Sequence, residues 1–276
     1  MSFINYLQQK KCSPATIKTY QKYLDYFAAW LKKEDLDAAL LNYNELLEYM
    51  RHLQQKGKSK SSIMMSLSVV RHYLNYLISE NKRIDNPAAG VFIRGRIRKL
   101  PSGLLSMEDL ELLYNQYYLQ LHVEEYKKIM LGLLIYQGVT VGELLRIRAK
   151  DIKLNEGKIF IKGTARSNER LLPLHVNQLL SLKQYLDKNK FDELLFTDPG
   201  IGKRIQYMFG QLHVLNKKVI NAKQIRGSVI TEWLRKNNLR QVQYMAGHKY
   251  VSSTERYQLN NIDDLKNEVQ QHHPMS

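Results

Sequence analysis

The sequence predicts a mainly α-helical protein with a small β-hairpin or sheet, organised as an N-terminal helical bundle and a C-terminal α+β domain. Three observations carry this. Apolar residues recur at spacings of three and four along most of the chain, the period of one helix face. Strict alternation is confined to a short stretch near residue 160, where it reads as a strand. Between the helical first third and the rest, residues 88–105 are dense in glycine, proline and arginine, the composition of a linker. At 276 residues with 44% hydrophobic side chains, the chain is long enough for two separate cores. The predicted units are 1–87, a basic linker 88–105, and 106–276.

In the first unit, Ser13-Pro14 is an N-cap followed by proline at the first helical position, and Ile17, Tyr20, Leu24, Phe27 and Leu31 then line one face. A second helix follows Asn44, with Leu47, Met50 and Leu53 inward and Gly57 to end it. A third starts near Ser61 on Ile63, Leu67, Val70, Leu74 and Leu77, and Asn86-Pro87 closes it. Lys58, Lys60 and Arg71 supply basic ends. The linker carries Arg94, Arg96, Arg98 and Lys99, four cations in six residues, which suits an extended segment laid along phosphates.

The second unit opens at Ser106, with Asp109 three residues on, as a capping-box start. Val123 to Gln137 is predicted helical, with Gly138 as its C-cap. Ile159 and Ile161 alternate in one strand, Leu171 to Leu174 form another, and the polar turn TARSNER joins them. Amphipathic helices over 176–186, 203–217, from Asn221, and over 239–245 complete the domain.

Charge narrows the function. Lysine and arginine number 42 against 26 acidic residues, a net +16 spread over both halves, so the expected partner is a polyanion that touches both domains. The N-terminus lacks the basic-then-apolar form of a secretion signal and no apolar run is long enough to span a bilayer, which predicts a cytoplasmic protein with no membrane partner. The single Cys12 forms no internal disulfide, and no Cys/His cluster has zinc spacing, so no metal is expected.

The chemistry-bearing stretch runs from Asn221 to Gln258. With Asn221 as a cap, Lys223 and Arg226 fall on one helix face, three residues apart, and can converge on one small anion. Ala246-Gly247-His248 follows, then Tyr257 nine residues after the histidine. An arginine fork and a histidine donor can clamp a phosphoryl transition state, which leaves Tyr257 as nucleophile.

Lys-x-x-Arg, Ala-Gly-His and a following tyrosine resemble the C-terminal signature of the tyrosine recombinases of the phage-integrase and Xer type. The rest of the layout is similar: the first unit resembles that family's SAM-like core-binding domain, GVTVGELLRIRAKDI (138–152) resembles its first catalytic segment, and Glu169 to Leu174 resembles the stretch after its hairpin lysine. Two positions depart from the pattern. Lys223 stands where a histidine is usual, and Thr140 stands where the family has its first catalytic arginine; Arg146 and Arg148 are the candidates to replace it.

The resemblance implies a site-specific recombinase that cuts and rejoins double-stranded DNA through a 3′-phosphotyrosine, with no cofactor, because the bond energy stays in the covalent link. Tyr257 would attack, Arg226 and His248 would hold the nonbridging oxygens, Lys223 would sit beside the nucleophile, and Lys162 would protonate the leaving oxygen, with Arg166 a second choice on the same hairpin or a DNA contact. It also implies a homo-oligomer, a tetramer on DNA joined through a C-terminal helix after Asn260. The rival readings are a recombinase-fold DNA-binding protein without chemistry, which the Thr140 and Lys223 departures allow, and a type IB topoisomerase-like enzyme.

Overall fold

Serine and asparagine caps set the start of each long helix in the first unit. In the computed structural model, which describes residues 2–93, 103–121, 124–191, 193–197 and 200–258, the first unit holds α1 (Phe3–Gln9), α2 (Pro14–Lys33), α3 (Tyr43–Gln55) and α4 (Lys60–Ser79). Ser13 accepts from the Thr16 amide at 3.2 Å, and Ser59 does the same for Ser62 at 3.2 Å. Asn42 and Glu45 form a reciprocal capping box, so α3 begins before Asn44 and buries Leu46, Tyr49 and Leu53 in place of the Leu47 and Met50 face. Those three pack with Phe27, Trp30, Leu67 and Leu74 in one core.

Two predictions for this unit are corrected. The seven-residue α1 was not foreseen; it is too short to be stable by itself, and it holds because Phe3, Tyr6 and Leu7 bury against Tyr73 and Tyr76. The linker does not begin at residue 88. Ala88 and Val91 are buried in the first core, and Arg71, foreseen as a surface cation, donates from Nε to the Ala88 carbonyl at 3.0 Å and from Nη2 to the Val91 carbonyl at 2.9 Å.

The chain divides into two units, Met1–Arg98 and Lys99–Ser276. The second contains α5 (Met107–Leu121), α6 (Glu125–Tyr136), α7 (Val141–Leu144), β1 (Ile152–Lys153), β2 (Lys158–Ile161), β3 (Arg170–Pro173), α8 (Val176–Lys188), α9 (Ile201–Leu215), α10 (Ala222–Lys236) and α11 (Leu239–Ala246). A last helical segment, α12, covers 252–258. The hairpin is the larger part of a three-stranded antiparallel sheet, order β1-β2-β3, with Ile159 opposite both Ile152 and Leu172. Helix α6 is apolar nearly all round, as a helix enclosed by others must be, and it packs against α5, α8 and α10.

Two left-handed glycines turn the chain toward the same region. Gly138 ends α6 at φ +53°, and a side chain there would meet Trp233 at 3.0 Å and Val229 at 3.2 Å. Gly247 ends α11 at φ +65°. These sharp exits aim the Gly138 and Ala246 carbonyls at one arginine. Among the described residues, no helix is long and apolar enough to cross a membrane.

Candidate active site

Asn221 caps α10 by accepting from the Gln224 amide at 3.0 Å, and one turn into the helix the chain buries Arg226 at 8% exposure. Its guanidinium donates to the Gly138 carbonyl and, at 2.6 Å, to the Ala246 carbonyl. Arg226 therefore ties the end of α6 to the end of α11. Its Nη1 lies 3.9 Å from Glu143 Oε2, too long for a direct hydrogen bond. Burial pulls its pKa down, opposed by Glu143, yet an arginine keeps its proton. Lys223 parts company with it. That lysine is exposed and lines a groove between α9 and α10 with Val141, Phe209 and His213, and no hydrogen bond or ion pair joins it to Arg226, His248 or Tyr257 among the described residues.

The floor of the site is a buried ion pair that the sequence did not announce. Arg170, at the start of β3, donates from Nη1 to Glu143 Oε1 at 2.7 Å and from Nη2 to Oε2 at 3.2 Å, and both side chains have 0% exposure. Ser167 Oγ donates to Glu143 Oε1 at 2.7 Å, and the Thr140 amide donates to Oε2 at 2.9 Å. Burial alone pushes the Glu143 carboxyl up, but the hydrogen bond and charge of Arg170, joined by the Thr140 and Ser167 donors, hold it at about 2. The pair is neutral overall, so among the described residues Arg226 is the one buried cation there without a carboxylate bonded to it.

Arg170 also supports the loop after α11. A Cβ at Gly247 would run into the Arg170 guanidinium and lie 2.9 Å from the Asn168 carbonyl, so only glycine lets the loop sit this close. The Asn168 amide donates to the Gly247 carbonyl at 2.9 Å, and Ser167 makes a backbone bridge to His248. His248 Nδ1 is 2.9 Å from Thr254 Oγ1. When that hydroxyl donates, Nε2 carries the proton and becomes the donor to an anion. Burial, then Arg226 and Arg170, push the His248 pKa down to about 4, so the ring is neutral at pH 7.

Tyr257, on α12, stacks beside His248 with ring centroids 6.0 Å apart and planes 15° apart. Its ring packs against Ile230, Val242 and Ala246. Among the described residues its hydroxyl has no hydrogen-bond partner. Burial raises its pKa, while Arg226 and Arg256 oppose that rise and favour the phenolate. Arg226, His248 and Tyr257 thus come together in one place.

Other predicted positions fall elsewhere. Thr140 is the N-cap of α7, and its hydroxyl donates to Glu143 Oε2 at 3.0 Å while accepting from the Glu143 amide at 3.2 Å. The hydroxyl at the position of the family's first catalytic arginine is therefore committed inside the protein. Arg148 is not a replacement for the missing arginine: it turns to Asp151 Oδ2 at 3.4 Å and Glu193 Oε1 at 3.5 Å. Arg146 is exposed beyond α7, its amide donating to the Glu143 carbonyl at 2.9 Å, and Lys162 is exposed just after β2; among the described residues no side-chain hydrogen bond or ion pair joins either to Arg226, His248 or Tyr257. Arg166 is exposed at the hairpin turn. Arg94, Arg96, Arg98 and Lys99, and the predicted helix after Asn260, lie outside the described residues.

On the first unit, Lys58 and Lys60 are exposed at the start of α4, and Lys58 shares a groove with Lys18, Lys22, Lys56 and the aromatic Tyr26. Lys18 and Lys22, missed at first, are one turn apart on α2, a spacing the sequence displays. Like charges gathered beside an aromatic wall suit a phosphate backbone. Among the described residues, no group of three His, Cys, Asp or Glu could hold a metal ion.

The pKa shifts give a sign for acid stability. His248 titrates lower in the folded chain (about 4) than at its ordinary value of 6.5, and Glu143 likewise (about 2 against 4.5). In both intervals the unfolded chain binds more protons, so stability is lost as pH falls, first from 6.5 to 4 through His248 and then from 4.5 to 2 through Glu143. The expected result is a melting temperature that declines below pH 6.5, with His248→Asn flattening the first part of the decline. A melting series in constant ionic strength checks it; an unchanged profile in that variant contradicts the assignment.

Comparison with known proteins places the chain in a family. The phage integrase N-terminal SAM-like domain model matches residues 1–81, and the phage integrase family model matches residues 104–263. The chain is 27% identical to Tyrosine recombinase XerC of Oceanobacillus iheyensis, covering 99% of this chain and 95% of that one. It is also 27% identical to Tyrosine recombinase XerD of Listeria innocua, covering 99% and 97%. Among solved structures, a lambda integrase dimer bound to a COC′ core site shares the fold at TM-score 0.67 and 17% identity, covering 92% of each chain. The Tn1549 transposon integrase in complex with circular intermediate DNA does so at TM-score 0.68 and 14% identity, covering 93% and 94%.

Proposed function

Because the chain belongs to the phage integrase family and is a tyrosine recombinase of site-specific DNA recombination, we propose that Tyr257 is its nucleophile and that Arg226 and His248 bind the scissile phosphate. The observation that carries this is the convergence of three side chains from α10, the loop after α11, and α12 on one place, with the tyrosine hydroxyl free of hydrogen-bond partners among the described residues and the arginine held by carbonyls. The phenol oxygen forms a bond to phosphorus as the bond to the 5′ oxygen breaks, its own proton passing to solvent. A 5′ hydroxyl of a partner strand reverses the step. Lys162, on the hairpin, would protonate the leaving oxygen. Arg226 carries the charge stabilisation, and neutral His248 adds a donor from Nε2.

Double-stranded DNA is the substrate this reading requires, with the basic groove of the first unit, Lys60 and the arginines of 94–99 on its backbone. Self-association into a tetramer through the residues after Gln258 accompanies it. The committed Thr140 hydroxyl favours one other reading, a protein that binds DNA and does not cut it. Suicide duplexes, nicked so that the broken end diffuses away, separate the two. Wild type is expected to yield a complex that survives denaturant, joined to the 3′ side of the cut. Tight binding with no such complex on any duplex would leave the binding-only reading, and relaxation of supercoils by a monomer would point to the topoisomerase type.

A further inference from the structure

The site is short of positive charge. Arg170 is cancelled by Glu143, Thr140 is occupied as a cap, and Arg148 faces Asp151 and Glu193. Among the described residues, Arg226 is the one buried guanidinium left for a phosphodiester whose negative charge is shared by two nonbridging oxygens; Arg256, half-buried next to Tyr257, donates from Nε to the Ser252 carbonyl at 3.2 Å. Sites of this kind lose on the order of 10²- to 10³-fold in rate for each donor removed.

One arginine is placed to make good the deficit. The hairpin turn 164–167 is fastened to the site at several points. Ser167 Oγ donates to Glu143 at 2.7 Å, the Ser167 backbone bridges to His248, and the Asn168 amide donates to the Gly247 carbonyl at 2.9 Å. Within the turn, the Thr164 amide donates to the Ser167 carbonyl at 2.9 Å, and the Arg166 amide to Thr164 Oγ1 at 3.1 Å. Gly163 seals the base of the turn, where a Cβ would lie 2.9 Å from the Glu169 amide nitrogen. Arg166 is therefore one peptide step, about 3.8 Å between α-carbons, from the residue paired with His248. Its backbone is fixed, while its guanidinium is exposed and without a partner among the described residues. Lys162 lies outside this fastened turn.

We propose that Arg166 is a catalytic residue that places a second guanidinium on the scissile phosphate, supplying from the hairpin the charge that position 140 lacks. This rests on the strand-transfer reading above. An arginine keeps its proton, so Arg166 clamps the phosphate and does not serve as the acid for the leaving oxygen.

The test uses the full chain and the duplex that wild type selects from a randomised pool, prepared as a tiled set of nicked suicide substrates. Arg166→Ala is expected to slow adduct formation by about 10²- to 10³-fold while Kd for the intact duplex changes by less than about tenfold, the split that marks an interaction made in the transition state. Its melting temperature should match wild type, because no partner is lost. Thr140→Arg in the Arg166→Ala background should recover most of the rate, and in wild type should gain much less. Wild-type rates for Arg166→Ala, or the same gain from Thr140→Arg in both backgrounds, would overturn the proposal.

If wild type forms no adduct on any substrate, the strand-transfer reading fails by itself, and binding then tests the placement. Duplexes carrying one neutral methylphosphonate each should include a position that weakens wild-type binding and leaves Arg166→Ala unaffected. The absence of any such position overturns the placement.

Discussion

Replacing Tyr257 with phenylalanine is expected to abolish the covalent DNA complex, a loss of at least about four orders of magnitude, because the hydroxyl left beside His248 among the described residues, that of Thr254, is held on Nδ1 at 2.9 Å and is not activated to attack. The same change should leave folding and DNA affinity near wild type. The ring stays packed on Ile230, Val242 and Ala246, and the hydroxyl that is removed makes no hydrogen bond among the described residues. Denaturing gels read the adduct, and native gel shifts with the same duplex read the affinity. An adduct that persists in the phenylalanine variant would move the nucleophile elsewhere, with exposed Tyr250 the next candidate.

The second large effect is structural. Arg170→Met is expected to destabilise the second unit by about 3–5 kcal/mol, the usual cost of leaving a buried charge without its partner. The case is strong because Glu143 has no exposure through which water could replace the guanidinium. Loss of Arg170 also frees the Gly247–His248 loop that rests on it, so any folded fraction should cleave poorly. Urea unfolding at pH 7 checks the stability, and the double variant Arg170→Met with Glu143→Gln should recover a good part of it, since the isolated charge is then gone. Equal midpoints for wild type and the single variant would mean that Glu143 is compensated by other groups.

Much of the site was legible because its residues sit in a short stretch with a characteristic order. Arg226, His248 and Tyr257 span part of one segment, and their convergence needs only the two glycine exits and a turn. What was not legible lies between distant segments. Glu143 and Arg170 are 27 residues apart, and nothing in either neighbourhood says that one will neutralise the other. Thr140 was readable in a different way. Thr-Val-Gly-Glu at 140–143 is a capping-box sequence, and it assigns the hydroxyl to the helix start before any phosphate is considered.

The same division holds for the fold. The faces of α2 and α4 follow from apolar spacing alone. Helix α1 and the early linker do not, because the first depends on Tyr73 and Tyr76 and the second on Arg71, each far away in the chain. Lys223 shows the limit of a spacing argument. Two residues three apart share a helix face, yet one is buried and the other lies on the rim of a groove. The helix angle to its neighbours decides which, and a single segment does not contain that angle.

The most direct measurement is to find the atom that carries the DNA. Trypsin cuts after Lys249, Arg256 and Lys266, so it separates a peptide beginning at Tyr250 from one beginning at Tyr257. Digesting the denatured adduct from a suicide duplex and sequencing the nucleotide-bearing peptide by mass spectrometry should place a 3′-linked nucleotide on Tyr257, in residues 257–266. A nucleotide on the peptide of Tyr250, or a link to a 5′ end, would contradict the account.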